Sequence, residues 1–256
     1  MKHNYNTGLV LSGGGARGFA HLGVIQALEE EGITPDIVSG VSAGSIVGAF
    51  YADGYSPEEI LAMFIEKKIF SLIKFTVPRS GFLKLTGLRD LIRTYLRAKT
   101  FEELKKPLWI TVTNLNKGRV EYIHQGSLPD VIIASSSIPI LFEPHRIGKY
   151  RYLDGGIFDV LPVAPIQEYC DRIIGVNINP HYEEKHISGL IKVAEWSFYL
   201  RILASVNQNM QKCNIRIDPQ KLKGFGIFDM SKAREMYRIG YDETKNVLKK
   251  ENLLTT

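Results

Sequence analysis

A chain of 256 residues that is 45% hydrophobic and 23% charged can bury a sizeable core, which excludes disorder and fits one large α/β domain over 1–256. Its net charge of +5, from 32 basic and 27 acidic residues, is modest and without a long basic run, so no nucleic-acid partner is expected. Cys170 and Cys213 are widely separated and lack metal-ligand neighbours. The first seven residues hold no apolar signal core, and the most apolar stretch, 190–206, is interrupted by Lys192, Glu195 and Arg201. Reduced thiols, no metal and a cytoplasmic chain are expected, with any membrane contact peripheral and at the inner surface.

Residues 8–12 form a short buried-strand pattern that runs directly into Gly13-Gly14-Gly15-Ala16-Arg17-Gly18. A helix follows, with Ala20, Gly23, Val24, Ala27 and Leu28 on its apolar stripe and Gly32 as its stop. A glycine loop at a helix N-terminus aims backbone N–H groups at one point, which suits a phosphate or a developing oxyanion. A dinucleotide fold would want an acid at the end of the second strand to hold the ribose. That strand, 36–39, has only Asp36, at its other end, which weakens the nucleotide reading.

The second strand climbs into Gly40-Val41-Ser42-Ala43-Gly44 and continues as a small-residue stretch with helical spacing over 45–50. A serine with glycines two residues to either side, on a sharp strand-to-helix turn, presents its hydroxyl at the helix N-terminus. Ser42 is therefore the candidate nucleophile. The same small residues would also serve simply to pack a helix against a sheet, and the pattern alone does not decide between the two.

Ser56-Pro57-Glu58-Glu59 has the signature of a helix start, and Ile60, Leu61, Phe64 and Ile65 follow at helical spacing. From 67 to 86 apolar and basic residues interleave, which suits an acyl-binding cap, a membrane-surface patch, or a loop folded onto the core with its lysines in water. A helix over 88–97 and a short one opened by Thr100-Phe101-Glu102-Glu103 precede strands over 108–113 and 119–123, joined by the turn Asn116-Lys117-Gly118. A helix over 131–137 and a strand-like stretch over 146–153 lead to Asp154-Gly155-Gly156. An aspartate before two glycines is ordinarily a turn residue, but a serine on an elbow needs a base, and Asp154 could reach it from a strand end. The remaining pattern is a helix over 162–169, a buried strand over 172–178, a polar break over 180–186, a long helix over 190–212, a strand over 215–217 and an amphipathic helix over 231–250. The broad apolar face of 190–212 suits core or a subunit contact, so a homo-oligomer is left open.

Four motifs stand in order across most of the chain: Leu11-Ser12-Gly13-Gly14-Gly15-Ala16-Arg17-Gly18, Gly40-Val41-Ser42-Ala43-Gly44, Ala134-Ser135-Ser136-Ser137-Ile138-Pro139 and Asp154-Gly155-Gly156. Together they resemble the patatin-like phospholipase family, specifically its short bacterial members. The resemblance implies a three-layer α/β/α fold with a mostly parallel central sheet. It also implies a lipid acyl hydrolase with Ser42 as nucleophile, Asp154 as base and the loop 13–18 as oxyanion hole, acting on a lipid or acyl ester without a cofactor. Arg17 would orient that loop, bind an anionic head group, or lie on the surface in the first helical turn.

Two rivals remain. A Ser-Asp-His triad would use His181 or His186, but both lie in a polar, loop-like stretch, Ser42 comes after only two strands, and His21 reads as a packed or surface residue. A non-catalytic lipid-binding module on the same fold would not need both Ser42 and Asp154.

Overall fold

The computed structural model describes residues 4–66, 85–139, 141–181, 183 and 186–253. Its centre is an eight-stranded mixed sheet. The strands β1 (Tyr5–Leu11), β2 (Ile37–Val41), β3 (Leu108–Asn114), β7 (Cys170–Val176) and β8 (Ile215–Ile217) pair in parallel. Antiparallel β4 (Arg119–Ile123) and the hairpin β5 (His145–Ile147) and β6 (Tyr150–Asp154) complete the order β5-β6-β3-β2-β1-β7-β8, with β4 on β3.

β2 is buried at every residue and β1 from Thr7 onward, as expected of parallel strands covered on both faces. On one face lie α1 (Phe19–Glu30), α2 (Ala43–Ala52), α3 (Pro57–Glu66), α4 (Thr86–Tyr95), α5 (Leu128–Ser135) and α7 (Ala233–Lys250), around a large apolar core that includes Leu22, Ile25, Phe50, Ile60 and Ile92. On the other, α6 (Leu190–Met210) and the segment after β6 enclose a smaller cluster of Val10, Ile37, Leu161, Val163, Ile166 and Val206. The result is the three-layer α/β/α arrangement that the motifs imply.

The capping box at Ser56 closes as its sequence demands: Ser56 N–H donates to Glu59 Oε2 at 2.8 Å and Glu59 N–H to Ser56 Oγ at 3.2 Å. Elsewhere the chain departs from its local pattern. The stretch 146–153 is a hairpin rather than one strand, because Gly148 at φ +58° turns the chain back and sets Arg146 opposite Arg151. No α-helix forms over 162–169, where Pro165 lacks the N–H that a helix would use and only a 3-10 turn, Gln167–Tyr169, develops. Thr100-Phe101-Glu102-Glu103 makes a single 3-10 turn without a cap from Thr100, and Glu103 accepts the Lys99 N–H at 2.7 Å instead. Most of the mixed apolar and basic stretch, 67–84, lies outside the described residues.

Helices α1 and α7 meet backbone to backbone. A Cβ on Gly240 would overlap the Ala20 carbonyl, and one on Gly23 would overlap that of Tyr237. Gly240→Ala is therefore expected to cost about 2 kcal/mol or more of stability through overpacking. The urea midpoint reads it, and an unchanged midpoint would show that the two helices have slack.

Candidate active site

Three strands bring the site together on β3. β4 takes one edge of β3, pairing Ile110 with Ile123 through to Asn114 with Arg119. The other edge is shared end to end: β2 finishes at Val41 opposite Thr111, and β6 finishes at Asp154 opposite Val112. The C-terminal ends of β2 and β6 thus meet head-on. Ser42 and Asp154, distant in sequence, become neighbours.

Ser42 caps α2 at φ +51° and ψ −121°, a region that residues with a Cβ avoid, at a cost on the order of 1–3 kcal/mol. Surrounding contacts hold it there. Its carbonyl accepts from Ser45 N–H at 2.9 Å, from Ile46 N–H at 3.2 Å and from Ser45 Oγ at 2.6 Å. A Cβ on Gly40 would run into the Gly44 carbonyl, and one on Gly44 into the Leu11 carbonyl, so only glycines let α2 start this close to the sheet.

Asp154 is 6% exposed and caps a 3-10 turn, Gly155–Ile157, with its Oδ1 accepting the Gly156 N–H at 2.7 Å. The Ser42 side chain lies close enough to favour the charged form of this carboxylate. Burial pushes the carboxyl up to about 6, against the opposing pull of the Ser42 side chain and the Gly156 N–H. No histidine is among the groups that act on it. Gly155 serves close packing rather than flexibility, since a Cβ there would strike the Thr111 carbonyl.

The glycine loop lies against the elbow, where a Cβ on Gly13 would come within 3.3 Å of Ser42 Cβ. Its N–H groups are not equivalent. Gly13 N–H donates to the Val160 carbonyl at 3.1 Å and Ala16 N–H to the Ile227 carbonyl at 2.8 Å. Arg17 and Gly18 close the 3-10 turn Gly15–Gly18 that leads into α1, and Gly18 packs on Ala43. Among the described residues, no acceptor takes the N–H of Gly14 or Gly15. These two, at the open end of a turn, are the donors left for a ligand.

Arg17 is buried rather than on the surface. Its Nε donates to the Gly14 carbonyl at 3.3 Å and its Nη2 to Asn179 Oδ1 at 3.1 Å. Asn179 in turn donates through Nδ2 to the Gly13 carbonyl at 2.8 Å, and Ser12 Oγ accepts the Ile178 N–H at 3.0 Å. The end of β7 therefore pins the loop from beneath, a role that the sequence pattern did not single out; the only trace is Asn177-Ile178-Asn179-Pro180 after a strand.

Among the described residues, the histidines stand apart from this pair. His21 is fully buried, and its Nε2 is 2.8 Å from the Ser12 carbonyl. Burial brings its ring down to about 4, so it is neutral at pH 7 and donates to that carbonyl as a packed support under the loop. His145 lies between Asp130 at 3.3 Å and Arg89 at 3.4 Å, His124 stacks on Trp109 at 3.8 Å, and His181 and His186 are exposed. Among the described residues, no group of three or more His, Cys, Asp or Glu side chains could hold a metal ion, and no helix is long and apolar enough to cross a membrane.

The patatin-like phospholipase family profile matches residues 9–166, a span that holds the glycine loop, the elbow and Asp154. The chain belongs to that family. It is 34% identical over 174 residues to an uncharacterized NTE family protein of Mycobacterium tuberculosis, covering 67% of this chain and 48% of that one. It is 31% identical over 279 residues to lysophospholipase NTE1 of Saccharomyces cerevisiae, covering 92% of this chain and 16% of the yeast protein. The chain thus spans about half the length of the mycobacterial relative and a small part of the fungal one. Among solved structures, VipD from Legionella pneumophila shares the fold at a TM-score of 0.57 and 19% identity, covering 96% of this chain and 67% of that one.

Proposed function

We propose that this chain is a serine acyl hydrolase of lipid esters, with Ser42 as nucleophile, Asp154 as base and the free N–H groups of Gly14 and Gly15 as oxyanion donors. One observation carries the reading: the Ser42 hydroxyl lies beside, and acts on, a buried carboxylate whose affinity for a proton is raised. A carboxylate at its ordinary value is a weak base, and desolvation brings Asp154 closer to the operating pH. Ser42 Oγ attacks the ester carbonyl as Asp154 takes its proton, the tetrahedral oxygen draws on the loop N–H groups, and the leaving alcohol receives the proton back. Water then repeats the sequence on the acyl-enzyme.

The substrate class rests on kinship. Family membership and the activity for which the fungal lysophospholipases are named support a phospholipid or lysophospholipid. The single-domain reading over 1–256 has support beyond the matched span, because β7 pairs with β1, β8 with β7, and α7 packs on α1.

A fluorophosphonate probe is expected to label Ser42. Only the carboxylate form of Asp154 can act as base, so labelling is full above pH 7 and drops about tenfold per unit once pH falls below the range near 6. Mass spectrometry of the labelled peptide across about pH 4.5–8 checks this. A flat profile with the protein still folded would count against Asp154 as the base.

A further inference from the structure

We infer that Ser135 is a positioning residue for Ser42, and that the C-terminal end of α5 with the turn after it is a bracket fixing the spacing between nucleophile and base; this rests on the acyl-hydrolase reading above. Ser135 is fully buried. Its Oγ accepts the Ser42 N–H at 2.8 Å and donates to the Thr111 carbonyl at 2.8 Å. Two residues on, the Ser137 carbonyl accepts the Asp154 N–H at 2.9 Å, while Ser137 Oγ donates back to the Ile133 carbonyl at 2.8 Å. The last residue of α5 and the turn just after it therefore grip the backbone N–H of both members of the pair.

The Ser42 N–H needs such a partner. It lies beyond the last paired residue of β2 and ahead of the first turn of α2, so neither sheet nor helix supplies an acceptor. A serine hydroxyl meets the demand because it can accept from one backbone group and donate to another in the space of one small side chain. With that N–H held on one side and the Ser42 carbonyl held by three donors on the other, the peptide units flanking a strained residue cannot rotate. Released at Ser135, the first unit can relax toward an ordinary conformation and swing Oγ away from Asp154.

The test compares Ser135→Ala, Ser135→Cys and Ser42→Ala on a soluble p-nitrophenyl ester, with circular dichroism and fluorophosphonate labelling alongside. Folded Ser135→Ala is expected to lose about 10- to 100-fold in kcat and in labelling rate, the scale of one orphaned buried donor, while KM moves less than about threefold. Ser135→Cys keeps the volume and weakens both hydrogen bonds, so its kcat falls between those of alanine and wild type. A lower melting temperature with kcat per folded molecule within about threefold of wild type would overturn the bracket and leave the dyad standing, provided that Ser42→Ala is inactive. Should the alanine variant not fold, the cysteine variant decides by the same criterion. Turnover that survives Ser42→Ala would remove the dyad, and the bracket with it.

Discussion

Ser42→Ala is expected to lower ester hydrolysis by more than about a thousandfold while leaving the fold intact, because without the hydroxyl no acyl-enzyme can form. The elbow should accept alanine: both side chains carry a Cβ, so the cost of φ +51° is unchanged, and the hydrogen bonds that hold the turn come from the backbone of residue 42. Initial rates on a chromogenic ester, with circular dichroism to exclude unfolding, provide the measurement. Residual turnover within about tenfold of wild type would sink the assignment.

Asp154→Asn is the second large effect, with a loss on the same scale, since the amide keeps the shape but cannot take the Ser42 proton. It should also stabilise the protein. With the carboxyl raised from 3.8 to about 6 in the fold, folding stability falls as pH rises through that window, and by pH 7 the buried charge costs about 3 kcal/mol. A neutral amide escapes that cost, so lower activity with a higher melting temperature is the expected pair of readings. In a triad the histidine would move the proton and be indispensable. His21→Ala, His124→Ala, His145→Ala, His181→Ala and His186→Ala should instead each retain most turnover once folded, His21→Ala being the one most prone to misfold because its ring fills a buried site. A well-folded histidine variant as inactive as Ser42→Ala would reinstate the triad.

What the sequence reveals follows the range of the forces involved. The elbow is local: glycines at 40 and 44, a β-branched run before them and small residues after them declare a strand, a turn and a helix within a short stretch. Asp154 is legible as a motif, yet its nearness to Ser42 depends on two strands sharing an edge of a third, which no local spacing encodes. The division of labour within the glycine loop is likewise invisible, because Val160 and Ile227 decide which N–H groups are spent. Asn179 and Ser135 act through side-chain bonds to backbone groups 166 and 93 residues away and leave no periodic trace. The hairpin over 146–153 is divided by its turn: Gly148 at φ +58° reverses the chain and sets Ile147 opposite Tyr150.

Because β2 and β6 abut on one edge of β3, neither can supply half a site. Asp154 stands beside Ser42 only where the antiparallel rung from Val112 to Asp154 is in place. On the proposed mechanism, activity would therefore require the sheet to be fully assembled. During refolding, recovered turnover would then report closure of the sheet.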